Sequence, residues 1–337
     1  MAPKPGVKAV VTVSGDWPVP VDLVLPQKFG YFRFINRVVQ AASGCRVVIL
    51  RGTSGFDERY RELVAALVIK LRFRRRPVVV IGDATWTTSS ESLARRAPPA
   101  LRPLLPWLSK WVARLPDGPH VTYCVLSTDE QASFGPQWGV DSARVRFTPF
   151  FATVADSWLA KTSDDGYIFA GGNSQRDYGL LVEAVEGLGY PVKIASAWQP
   201  DRPLPPNVTV EQLGAEQYDS AMAGATMVVV PLARSPRSAG QQTYLNAMRL
   251  AKPVVVTNAA GVCDYVRPGQ TGQVVEHDPA SLRAAIDFVL DPANEDRVGA
   301  MVAAARLAVE QHYLRAHYLG RLWEVAAEAV ASGGRTA

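Results

Sequence analysis

The stretch SAGQQTYLNAMRLAKPVVVT, Ser238–Thr257, reads as a loop, a helix and then an apolar strand. Arg234 and Arg237 stand just before the helix, and no Asp or Glu occurs between Arg234 and Thr257. First helical turns favour acids, because the backbone dipole leaves partial positive charge there. This one opens instead on Gln241 and Gln242. Cations beside a helix N-terminus repel unless an anion stands among them, and the free N–H groups there suit a diphosphate. The plainer reading is a surface loop with solvated arginines and Ser238 as an N-cap.

Upstream lies a second turn of the same kind, FAGGNSQRDYGLLVEA, Phe169–Ala184. Gly171, Gly172 and Asn173 follow an apolar strand and precede a helix, and glycine lets backbone N–H groups come close to a phosphate. Arg176, at the start of that helix, opposes the dipole and calls for an anionic partner. Alternatively, Asp177 is the N-cap and Arg176 is solvated.

Around these turns, apolar runs alternate with helical patterns. Strands are expected at Val7–Val13, Cys45–Leu50, Pro77–Asp83, Val121–Ser127 and Arg144–Phe150, with a helix at Asp57–Phe73 among the intervening segments. The polar stretch ATVADSWLAKTSDDG, Ala152–Gly166, reads as a linker. A second series follows: strands at Tyr167–Gly172, Val192–Ser196, Val208–Val210, Met227–Pro231, Pro253–Thr257 and Gly272–Glu276, with helices at Tyr178–Gly187 and Gln241–Ala251. Helices at Ala280–Leu290, Glu295–Gln311 and Leu314–Ser332 close the chain. Continuous apolar strands separated by helices mean parallel sheets covered on both faces. The fold class is therefore α/β, with two Rossmann-like doubly wound domains, residues 1–150 and 151–313, and a last helical segment, 314–337.

With 337 residues, 48% hydrophobic and 20% charged, the composition is that of a globular protein. No apolar run reaches the length of a signal core or a membrane span, so the chain is read as cytoplasmic. Cys45, Cys124 and Cys263 have no metal-ligand spacing and are read as reduced, buried residues. His120, His277, His312 and His317 lack neighbouring ligands, no D-x-D pair occurs, and no metal is expected. No dinucleotide fingerprint, Walker A sequence or G-x-S-x-G elbow is present either.

The net charge of +5 is uneven. Arg51–Leu115 holds 13 Lys and Arg against 5 Asp and Glu, a net +8, which leaves −3 for the rest. Within it, LLPWLSKWVARL, Leu104–Leu115, puts Trp107 and Trp111 one helical turn apart beside Lys110 and Arg114. Such helices lie in membrane interfaces or, more commonly, pack on their own sheet. The first reading gives peripheral membrane contact through residues 70–115 and a lipid-linked acceptor at the inner membrane face. Nucleic acid is excluded as a partner, since no recognised module accompanies the basic segment.

The second half resembles the carboxyl-terminal domain of GT-B glycosyltransferases, and the retaining family four above all. YIFAGGNSQRDYGLLVEA is similar to that family's glycine turn with its basic residue. SAGQQTYLNAMRLAKPVVVTNAAGVCDYVRPGQTGQVV is similar to its acidic pair before "AM" and "GKPVV". The two family glutamates fall at Ser238 and Asn246, so neither acid is present. YCVLSTDEQASFGPQWGVDSARVRFTPF resembles the last strand–helix–strand of the first domain, and HYLRAHYLGRLWEVAAEA the helix that crosses back to it.

The resemblance implies two domains facing a cleft, a nucleotide-diphosphate sugar as co-substrate with no resident cofactor, and retention. It implies diphosphate contacts from Arg176 and from the backbone near Gly240 and Gln241, a donor-sugar contact at Ser238 and a ribose contact at Asn246; Arg237 and Gln242, beside the helix start, are assigned to the same donor. The catalytic assignments are Arg176 and Asp83. Gly15 and Asp16, after the first strand, are assigned to the acceptor, and Asp83 orients its hydroxyl or acts as base. Asp83 as a turn residue with Thr85 is the alternative. Competing functions are a non-catalytic sugar-nucleotide-binding subunit and a GT-B epimerase or phosphorylase.

Overall fold

The structure is a computed structural model and describes residues 9–13, 15–18, 21, 23–24, 30–52, 56–86 and 98–333. Residues 7 and 8 of the first expected strand, and 53–55 and 87–97 of the basic segment, lie outside the described residues.

The chain divides into two compact units, Met1–Thr148 with Ala316–Ala337, and Pro149–Arg315. In the first unit, β1 (Ala9–Val11), β2 (Leu23–Val24), β3 (Val47–Leu50), β4 (Val78–Ile81), β5 (Val121–Val125) and β6 (Val145–Phe147) form one sheet in the order β2-β1-β3-β4-β5-β6. All its pairings are parallel. The helices are α1 (Tyr31–Ala42), α2 (Phe56–Arg72), α3 (Leu105–Arg114), α4 (Thr128–Trp138) and the last of the chain, α10 (Arg315–Gly333). The strands are short and apolar because both faces are covered, as a doubly wound sheet requires.

Trp86, Tyr123, Phe134 and Trp138 pack with ring centroids 5.4 to 6.1 Å apart, and they fix α4 against β5. Each such aromatic pair contributes about 0.5–1.5 kcal/mol beyond its buried area. The last helix joins this unit through a hydrogen bond of 2.9 Å from Tyr318 Oη to the Gly82 carbonyl. A Cβ at Gly82 would stand 3.2 Å from Leu322 Cδ1, so glycine permits that approach.

The second unit contains β7 (Ile168–Gly171), β8 (Val192–Ala195), β9 (Val208–Glu211), β10 (Met227–Val230), β11 (Val254–Thr257) and β12 (Gln273–Val275), in the order β12-β11-β10-β7-β8-β9 and all parallel. Around it stand α5 (Tyr178–Val185), α6 (Ala215–Ala223), α7 (Gln241–Arg249), α8 (Pro279–Leu290) and α9 (Glu295–His312). The order runs outward in both directions from the β7/β10 pair, so a switch point lies between those strands. Fully buried β10 and β11 carry the valine runs that mark a central position.

The cysteines differ from expectation. All three are free, but only Cys124 is buried, and Cys263 is exposed. Cys263 sits in the short turn Val262–Asp264 after β11.

Candidate functional site

The switch point of the second sheet assembles the site. β7 ends at Gly171, and Gly172 turns with φ of +104°, a conformation open to glycine at no steric cost. The loop then lies along the tail of β10: Ala233 N–H donates to the Gln175 carbonyl at 3.0 Å and Asp177 N–H to the Pro231 carbonyl at 2.8 Å. Leu232 is held in turn by Thr257 Oγ1, which accepts from its N–H at 2.6 Å and donates to its carbonyl at 2.9 Å. Three strand ends, β7, β10 and β11, are thus tied together, and Arg176 stands on the first.

Of the plainer reading of this turn, Asp177 as N-cap holds and a solvated Arg176 does not. Asp177 is the N-cap of α5, accepting from Leu180 N–H at 3.0 Å, and its other oxygen lies 3.2 Å from His277 Nε2. Arg176 is not a solvated surface residue. Its guanidinium donates to the Gly171 carbonyl at 3.0 Å, the Ser174 carbonyl at 2.6 Å and Thr243 Oγ1 at 3.0 Å. Among the described residues no carboxylate pairs with it. Burial lowers its pKa from the usual value, opposed by the neighbouring oxygens of Tyr178, Tyr218 and Tyr244. Arginine stays protonated in proteins, so this is a partly buried cation bonded only to neutral groups. Such a charge is costly until an anion meets it.

The second element is α7. Its N-cap, Gly240, has φ of +88° and no side chain caps the helix. A Cβ there would lie 3.1 Å from Leu232 Cδ2 and 3.3 Å from Tyr244 Cε1, so the close approach of this helix start to β10 needs glycine. Thr243, in the first turn, accepts the bond from Arg176 and contacts Tyr218 Oη at 3.4 Å. The cation after β7 and the uncapped N-terminus after β10 therefore meet at one hydroxyl. Both favour negative charge. In the preceding loop Arg234 is exposed, while Arg237 Nε is buried with no hydrogen-bond partner among the described residues.

Other assigned residues have partners of their own. Ser238 is buried and accepts from Gln241 Nε2 at 2.8 Å, so a neutral pair stands where the resemblance would put the first glutamate. Gln242 is exposed. Asn173 Oδ1 accepts from Ser196 Oγ at 2.7 Å and Ala197 N–H at 2.8 Å, which fixes the end of β8. Asn246 is buried, and its Oδ1 accepts from Thr153 N–H at 2.7 Å and Val154 N–H at 3.0 Å, while Nδ2 donates to Thr153 Oγ1 at 3.1 Å. Its amide is occupied by the segment that begins this unit. Sequence reasoning did not identify Thr243 or Tyr218, which become visible only once α6 and α7 are placed beside β7.

In the first unit, Gly15 and Asp16 follow β1 and are exposed. Asp83 follows β4, and its Oδ1 accepts from Thr85 Oγ1 at 2.6 Å and from Thr85 N–H at 3.4 Å, the geometry of a turn residue. His120 directly precedes β5, at the opposite end of the sheet from the strands' carboxyl ends. Among the described residues no group of His, Cys, Asp and Glu could hold a metal ion.

Residues 191–291 match the family model described as Glycosyl transferases group 1. No curated protein matches the chain by sequence. Several solved structures share its fold. A glycosyltransferase from Rickettsia africae is 12% identical with a TM-score of 0.61, over 92% of this chain and 85% of that one. Alr3699/HepE from Anabaena, solved with UDP and glucose, is 15% identical with a TM-score of 0.61, over 94% and 86%. Sucrose-phosphate synthase from Thermosynechococcus elongatus is 16% identical with a TM-score of 0.60, over 94% and 83%. The α/β fold with two parallel sheets is that of the GT-B glycosyltransferases, and the match within the second unit agrees with the resemblance read from its motifs.

Proposed function

We propose, from the group 1 glycosyltransferase segment of the second unit, that this chain transfers a sugar from a nucleoside-diphosphate donor to an acceptor hydroxyl. The observation that carries the reading is Arg176: a partly buried guanidinium with no carboxylate partner among the described residues, bonded to the first turn of an uncapped helix at the sheet's switch point. A diphosphate there supplies the missing negative charge. UDP bound to a neighbour of the same fold supports a nucleotide sugar as ligand.

In the reaction, the bond from the sugar's anomeric carbon to the diphosphate oxygen breaks, and a bond to the acceptor oxygen forms. Negative charge grows on the departing phosphate. Fixed positive potential from Arg176, the α7 N–H groups and Arg237 stabilises that charge without reorganisation. No divalent metal is assigned to this step, in keeping with the missing D-x-D pair. The outcome is retention, with the leaving phosphate accepting the acceptor's proton on the same face. The acceptor is lipid-linked and is taken by the first unit, with Gly15, Asp16 and Asp83 at the carboxyl ends of β1 and β4. The work is cytoplasmic, at the inner membrane face.

The test is product analysis with a panel of nucleotide sugars and lipid-linked or soluble alcohols. Release of nucleoside diphosphate with a glycosylated product supports transfer. Tight donor binding without turnover supports a non-catalytic binding subunit instead, and an altered sugar released without acceptor supports an epimerase.

A further inference from the structure

The basic segment of the first unit contains a helix turned the wrong way round for a soluble protein. In α3 the buried residues are Ser109 and Ala113, 4% and 1% exposed, whereas Trp107 and Trp111 are 66% and 50% exposed. Leu104 and Leu108 are exposed as well, which completes an apolar stripe at i, i+3, i+4 and i+7 on the outer face. The orientation is anchored from inside. Tyr60 Oη lies 3.3 Å from Ser109 Oγ, so the small face of α3 is held against α2. Lys70 Nζ donates to the Leu115 and Asp117 carbonyls at 2.9 and 2.6 Å, which ties the carboxyl ends of the two helices together.

The charge around the stripe has one sign. Residues 98–115 contain no Asp or Glu, and neither do residues 70–76. Arg72, Arg74, Arg75 and Lys110 are exposed, and among the described residues none is ion-paired. Exposed leucine at position 71 adds to the apolar surface at the same end. Tryptophan prefers the boundary between water and hydrocarbon, where its ring is buried and its N–H stays hydrated. A surface that pairs exposed tryptophan and leucine with unpaired cations is complementary to an anionic bilayer. No helix among the described residues is long and apolar enough to cross a membrane, so contact through this surface is peripheral.

We infer that the outer face of α3, with the carboxyl end of α2, docks this protein on anionic phospholipid surfaces, Trp107 and Trp111 entering the headgroup boundary and Lys110, Arg72, Arg74 and Arg75 meeting the lipid charge. This stands apart from the sugar-transfer reading, because vesicle binding is measured without donor or acceptor.

The experiment is sedimentation of the full chain with vesicles of phosphatidylcholine alone or with added phosphatidylglycerol. Binding is expected only to the anionic vesicles, with affinity falling as salt rises. The double variant Trp107→Ser/Trp111→Ser and the separate double variant Lys110→Glu/Arg72→Glu should each weaken binding at least about tenfold, the first through lost interfacial apolar area and the second through lost attraction to the lipid charge. Thermal melting of both variants should match the wild type, since all four side chains are exposed. Absence of binding to anionic vesicles, or binding as tight as the wild type's by either variant, overturns the inference. So does a wild-type dimer that becomes monomeric in the tryptophan variant, which assigns the face to a second copy of the chain.

Discussion

Arg176 Nη2 lies 3.0 Å from Thr243 Oγ1, and this bond joins the loop after β7 to the first turn of α7. It gathers the two sources of positive potential in the second unit at one place. The charge has no carboxylate among the described residues, so its effect is available to a ligand.

Replacing Arg176 by alanine should lower turnover by about a hundredfold or more, the usual cost of losing one donor that stabilises developing charge. Steady-state kinetics with the best donor found in the product screen measures this. Arg176→Lys keeps the charge but loses the planar fork that reaches Gly171, Ser174 and Thr243 together, so it should recover only part of the loss. Wild-type turnover in the alanine variant removes Arg176 from the mechanism.

Asn246 should prove to be a stability residue first. Asn246→Ala leaves the Thr153 and Val154 N–H groups without their acceptor, a cost of about 1–3 kcal/mol for an unmet buried group. Differential scanning calorimetry should show a lower Tm while the affinity for nucleoside diphosphate is kept. Weakened nucleotide binding at an unchanged Tm would instead give Asn246 the ribose contact that the family resemblance implies.

His120 should give the first unit an acid-sensitive component. Burial, and then the cations Arg76, Lys70 and Arg144, lower its pKa from 6.5 to about 4, with Asp117 opposing. The unfolded chain therefore takes up this proton first. The stability owed to the neutral ring is complete above about 6.5 and is lost as pH falls from there towards 4. Melting temperatures of the wild type should fall across that window more steeply than those of His120→Gln. Parallel slopes would show that the imidazole does not contribute.

How much of this was legible in the sequence follows from range. The valine runs of β4, β10 and β11 announce central parallel strands, because burial on both faces leaves no polar alternation. The strand β2, two residues long at a sheet edge, has no such signal. In α6 the sequence AEQYDSAMA buries only Met222 and Ala223, so its helical period is faint, and with it Tyr218 went unremarked.

The candidate site divides in the same way. Arg176 and Gly240 were legible, since glycine turns and unbalanced cations are local features. The environment of Arg176 was not, because its bond to Thr243 spans 67 residues of sequence. Nor was the occupation of Asn246, whose partners lie 92 and 93 positions away. For α3, sequence spacing gave the stripe of Trp107 and Trp111, but only the packing of Ser109 and Ala113 shows which face is turned outward.

The central claim is that the second unit binds a diphosphate through Arg176. Thermal-shift titration of the full chain with nucleosides, nucleoside monophosphates and nucleoside diphosphates, on wild type and Arg176→Ala, tests it most directly, since a selective ligand raises apparent stability. The expected result is a rise in Tm with at least one nucleoside diphosphate, a smaller rise with its monophosphate, and neither in the variant. No shift with any nucleoside diphosphate, or an equal shift in the variant, would contradict it.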